Sequence, residues 1–126
     1  MIRHIVMWRV RGETPGARQE ARRLVKESFE GLRGVIPGML KLEVGLDSSA
    51  VDYACDVVLI TEFDSQAALD GYATHPEHLR VRERLGDIRT ARFQVDYEVD
   101  YQIDQQADSE ARDTIAAGRE LRQVRA

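Results

Sequence analysis

Five residues of this chain are suited by type and spacing to move protons: His4, Tyr72, His75, His78 and Asp96. Three of them fall in one block, Tyr72-Ala-Thr-His75-Pro-Glu-His78. Imidazole titrates near neutrality, so His78 can accept or release a proton at pH 7. A phenol such as Tyr72 can hydrogen-bond an enolate or polarise a carbonyl. Each residue also has a plainer role open to it. His4 can be a hydrogen-bonded core histidine, and Tyr72 an amphipathic packing residue. His75-Pro76 reads more simply as a capping turn. Asp96, in Gln94-Val95-Asp96-Tyr97-Glu98, either orients a histidine or faces solvent from a strand.

Other chemistries lack their residues. His75, His78, Glu77 and His4 are of the types zinc prefers, but Pro76 disturbs the helical spacing between the two histidines. No HExxH motif or cysteine cluster accompanies them, so no metal is expected. There is no GxGxxG, no GxxxxGK[ST] and no GxSxG, which argues against a nucleotide cofactor and against a serine nucleophile on an elbow. Cys55 stands at a strand start without a histidine near it in sequence, and reads as inert packing.

The elements that must position these groups follow from periodicity. Ile2 to Val10 reads as a strand with His4, Val6, Trp8 and Val10 on one side and Ile5 and Met7 on the other, so both faces are covered. Thr14-Pro15 starts a helix whose stripe runs Ala17, Ala21, Leu24, Val25, Ser28, Phe29, Leu32, until Gly34 and Pro37-Gly38 turn the chain. Met39 to Leu46 alternates as a half-buried strand, and Asp56 to Phe63 is a dense central strand, joined to it as a hairpin. Asp64 or Ser65 caps a second helix, which Pro76 breaks and a short segment to Leu85 continues. Arg92 to Val99 alternates Phe93, Val95, Tyr97 and Val99 as a last strand. The order strand, helix, strand, strand, helix, strand is the split βαβ, ferredoxin-like α+β arrangement. Its helices lie on one face of the sheet. The other face stays apolar, and a second copy of the same sheet is the expected cover, giving a homodimer.

Composition agrees with one domain. The chain has 126 residues, 43% hydrophobic and 32% charged, with eight aromatics. Eighteen Lys and Arg against 22 Asp and Glu give a net charge of −4, which argues against nucleic acid as a partner. A single cysteine points to a reducing, cytoplasmic setting. No run approaches a membrane span, and the N-terminal apolar stretch is too short for a signal peptide. Residues 101–126 differ in composition and are expected to be partly helical or to wrap the partner chain, their apolar stripe being thin and weakened by Gly118.

Taken together, Ile2-Arg-His4-Ile-Val, Ile36-Pro-Gly38, Val44-Gly45, Asp56-Val-Val-Leu-Ile-Thr-Glu-Phe63, the Tyr72–His78 block and Val95-Asp96-Tyr97 resemble the stress-responsive A/B barrel (Dabb) family over about residues 1–100. The resemblance implies a dimeric α+β barrel. Many members of the family are known only as stress-associated proteins, while a plant branch contains polyketide cyclases that close a β-keto chain by aldol condensation. By that motif Tyr72 and His78 match the acid/base pair, and His4 and Asp96 match supporting pocket groups. The pocket is expected to draw its walls from His4, Val6, Trp8, Leu24, Leu59, Thr61 and Asp96. Leu24 and Glu27 stand where the cyclases carry pocket aromatics, and Arg92 intrudes on an apolar cavity, which favours a smaller or more polar ligand. Three functions follow as expectations. The first is a non-catalytic, stress-associated or small-molecule-binding protein. The second is a cofactor-independent cyclase or lyase acting on a β-keto, polyketide-like substrate by Tyr/His acid–base chemistry, the expected ligand of the pocket being small and apolar or a β-keto compound. The third is a cofactor-free monooxygenase.

Overall fold

A computed structural model describes residues 1–100. The expectations for residues 101–126 lie outside the described residues. Seven elements follow in order: β1 (Ile2–Val10), α1 (Pro15–Glu30), β2 (Met39–Leu46), β3 (Val57–Phe63), α2 (Gln66–Thr74), α3 (Pro76–Leu85) and β4 (Arg89–Glu98). The four strands form one antiparallel sheet in the order β2-β3-β1-β4. This is the ferredoxin-like layout, with its last helix split at Pro76.

Local chemistry explains the helix boundaries. Thr14 caps α1 by accepting a hydrogen bond from the Ala17 amide at 3.0 Å, and Pro15 takes the first helical position. Ser65, of the two candidate caps, starts α2 by accepting from the Ala68 amide. His75 ends α2 and caps α3: its Nδ1 accepts from the Glu77 amide at 3.1 Å. Pro76 fits there because it supplies no amide to a helix that is starting anew. α1 stops at Glu30, earlier than its apolar stripe suggests, and a run of turns carries Leu32 and Ile36 into the core. Gly38 then turns the chain at φ +77°, a conformation that favours glycine.

β1 alternates as its sequence requires. His4, Val6, Trp8 and Val10 are buried beneath the helices, with Val25, Phe29, Leu59, Phe63, Tyr72 and Leu85. Arg3, Ile5, Met7 and Arg9 face the opposite side. β4 alternates too, but in the opposite sense to a core strand. Register pairs Phe93 with Met7, Val95 with Ile5 and Tyr97 with Arg3, so its apolar residues belong to the helix-free face. They are exposed there, Phe93 at 51% and Val95 at 60%. On the helix side β4 presents Arg92 beside Trp8, Gln94 beside Val6 and Asp96 beside His4. The helices pack over β2, β3 and β1 rather than over β4. A trough therefore opens along the inner side of this edge strand. No helix among the described residues is long and apolar enough to cross a membrane.

Candidate functional site

The trough is a pocket of about 520 Å³ between β4, β1 and the α2–α3 corner. That is a size suited to a small organic ligand. His4, Val6, Trp8, Leu59, Tyr72, His78 and Asp96, all candidate site residues from the sequence, line it. Two expected wall residues do not. Leu24 packs against the core from α1, which leans on the β2 side of the sheet, away from β4. Thr61 is fully buried mid-sheet, where its Oγ1 donates to the His4 carbonyl at 3.2 Å. It holds the strand that carries His4 rather than facing the pocket.

The edge of the sheet sets the first pair of groups. Because Asp96 is the cross-strand partner of His4, its Oδ1 reaches His4 Nδ1 at 2.5 Å. Its Oδ2 accepts from Gln94 Nε2 at 3.0 Å. A carboxylate on Nδ1 fixes the ring's orientation and places the proton there, which leaves Nε2 as the acceptor of neutral His4.

The helix break sets the second pair. His78, in the first turn of α3, stacks on Tyr72 of α2 with ring centroids 4.1 Å apart and planes at 27°. Its Nδ1 lies 3.3 Å from the Ala73 carbonyl. A carbonyl only accepts, so Nδ1 carries the proton and Nε2 is the basic atom. Burial, the largest influence, pushes the His78 pKa down, and the nearby Arg82 and Arg89 act in the same direction. His78 is therefore neutral at pH 7 and able to accept a proton.

Tyr72 is 3% exposed and packs between Phe63, 5.3 Å away, and the His4 ring at 6.2 Å. Its hydroxyl is cut off from solvent and has no hydrogen-bond partner among the described residues. Burial raises its pKa well above that of a free phenol, so it remains a proton-bearing donor. A buried hydroxyl without a partner costs about 1–3 kcal/mol. A ligand oxygen reaches it only if the side chains around it shift.

The rest of the wall is basic. Arg82, Arg89 and Arg92 all line the pocket. Arg89 lies over the Trp8 ring at 5.1 Å and over Phe29 at 5.6 Å, and these two rings are themselves stacked at 4.8 Å. Arg92 was legible as an intruder. Arg82 and Arg89 were not, because nothing in a helical or strand period tells which arginine turns toward a cavity. Gln94 could have been found: Arg92, Gln94 and Asp96 share the polar side of an alternating strand. Among the described residues no three His, Cys, Asp or Glu side chains come together as a metal-holding group.

Comparison with known proteins places the fold. A dimeric protein of unknown function and ferredoxin-like fold from Bacteroides fragilis is 32% identical, with a TM-score of 0.69 over 78% of this chain and 95% of that one. A dimeric ferredoxin-like protein of unknown function from Jannaschia is 27% identical, with a TM-score of 0.62 over 78% and 98%. The hydroxynitrile lyase of Passiflora edulis is 16% identical, with a TM-score of 0.65 over 79% and 94%, and shares the fold alone. No functionally curated protein matches the chain. The model of the stress responsive A/B barrel domain matches residues 2–99, nearly all of the described structure, and the chain belongs to that family.

Proposed function

We propose that the chain is one subunit of a homodimeric barrel that binds a small carbonyl-bearing molecule in this pocket and moves a proton on it without a cofactor. The observation that carries this reading is the convergence on one open pocket of a neutral imidazole, His78, a phenol that burial keeps protonated at neutral pH, Tyr72, and a carboxylate-held imidazole, His4. His78 Nε2 takes the proton from a carbon flanked by carbonyls. Tyr72 donates a hydrogen bond to the oxyanion that forms, and gains the partner it lacks at rest. The His4–Asp96 pair orients the ligand or returns the proton. This is the chemistry that lyase and cyclase reactions on β-keto compounds require.

The dimer rests on the helix-free face of the sheet. Met7, Phe93, Val95 and Tyr97 form a connected exposed apolar surface there. The relatives at 32% and 27% identity are described as dimeric. A binding-only role is the second reading, and the sealed Tyr72 hydroxyl favours it, since an acid catalyst must reach its substrate. Hydrogen–deuterium exchange at the central carbon of acetoacetate and of acetoacetamide, followed by NMR, separates the two. Catalysis predicts exchange above the buffer rate, lowered about 10²-fold or more in His78→Ala. Exchange that is the same in wild type and H78A overturns catalysis and leaves binding.

A further inference from the structure

The charges around this pocket do not balance. Arg82, Arg89 and Arg92 supply three guanidiniums, against two carboxylates, Asp70 and Asp96. Asp96 is engaged by His4 and Gln94, and Asp70 accepts from Gln66 Nε2 at 3.0 Å on an exposed turn of α2. No carboxylate lies within ion-pair distance of Arg82, Arg89 or Arg92 among the described residues, although other arginines of the chain, such as Arg3 and Arg23, have found one. Arg92 instead donates to the neutral Gln94 Oε1 at 2.5 Å. The Arg89 guanidinium carbon lies over the Trp8–Phe29 stack, and among the described residues no carboxylate lies within ion-pair distance of it. Partial burial and the two like charges nearby make its protonated form dearer than usual, so an arriving anion is doubly favoured.

We propose that the ligand carries a carboxylate, which the Arg82–Arg89–Arg92 group grips at the β4 side of the pocket while the ligand's carbonyl end lies toward Tyr72 and His78. This rests on the pocket reading above and adds the ligand's class, a small oxo acid. A guanidinium fork matches a planar carboxylate through two parallel hydrogen bonds. The apolar floor of Val6, Leu59 and Leu69 suits a short carbon skeleton. An anion held at one end fixes which carbon meets His78 Nε2, and it offsets the local positive charge that otherwise disfavours protonating His78.

Trp8 is the sole tryptophan of the chain and lines the pocket, so its emission reports on the site. The test titrates the full-length protein with acetoacetate and with acetoacetamide, its uncharged counterpart, at low and high salt. The proposal expects acetoacetate to bind at least tenfold more tightly, with that margin shrinking as salt rises and vanishing in Arg89→Gln and Arg82→Gln. R82Q serves as the second variant because it does not touch Trp8, and melting curves check that both variants are folded. Equal binding of the acid and the amide, or a margin that survives both substitutions, overturns the carboxylate proposal while the pocket reading stands. Quenching by neither probe at millimolar concentration overturns the pocket reading and this proposal with it.

Discussion

Replacing Tyr72 by Phe should make the resting protein more stable while removing its function. The Tyr72 hydroxyl is buried and has no partner, so the folded state bears its desolvation without return, at about 1–3 kcal/mol. Phenylalanine keeps the ring contacts with Phe63, His4 and His78. The void left by one oxygen is on the order of 10 Å³, which costs only about 0.2 kcal/mol at ~24 cal/mol per Å³. The net expectation is a gain of roughly 1 kcal/mol, or a rise in Tm of about 2–6 °C. Urea unfolding followed by Trp8 fluorescence measures it, at one fixed protomer concentration because a dimer's stability depends on it. If Tyr72 is instead a hydrogen-bonded core tyrosine, Y72F loses about 1 kcal/mol. That loss would show the hydroxyl to be satisfied within the fold, with nothing to offer a ligand.

Four further outcomes follow. His78 should titrate below the usual 6.5 or so of free histidine in an NMR pH series. Its folded pKa lies below its unfolded one, so the unfolded chain binds more protons between the two. Stability should therefore rise with pH across that window, and be lost as pH falls through it; a slope unchanged in His78→Gln would refute the assignment. Gly38→Ala should cost well over 2 kcal/mol by urea unfolding, because φ is +77° and a Cβ would stand 2.6 Å from Ala68 Cβ and 2.9 Å from an Asp64 oxygen; a cost under 1 kcal/mol would show that the turn can relax. Val95→Lys with Phe93→Lys should yield monomers in sedimentation equilibrium, and an unchanged dimer would place the interface elsewhere. Arg22→Ala should destabilise by about 1–3 kcal/mol, since the Arg22 guanidinium ties α1 to the backbone carbonyls of Asp47 and Asp56 at the ends of β2 and β3; a stability equal to wild type would make that tie ornamental.

Much of the fold was legible because it is local. The Thr14-Pro15 start, the Pro76 break and the two-sided pattern of β1 are each set by chemistry within a few residues. The pairing of His4 with Asp96 needed more, since it depends on two strand ends 92 residues apart falling into register. The family motif brought those residues together before any geometry did. Leu24 and Thr61 sit in packed core rather than at this pocket, because sequence tells which face of an element is buried, but not whether that face meets a cavity or a filled core. β4 shows the same limit from the other side. Its apolar alternation marked a strand, yet those residues point to the open face, and the polar set between them, Arg92, Gln94 and Asp96, builds the pocket wall. The arginine group escaped notice because three residues on α3 and β4 converge only once the chain has turned at Gly86.

Under the proposed function, Tyr72 and His78 act as one unit on a ligand in this pocket. The decisive measurement is a double-mutant cycle on the acetoacetate exchange rate. Groups that serve a single step lose little more together than apart, so Y72F/H78A should be scarcely slower than the worse single variant. Losses that simply multiply, or an exchange rate indifferent to both substitutions, would contradict it.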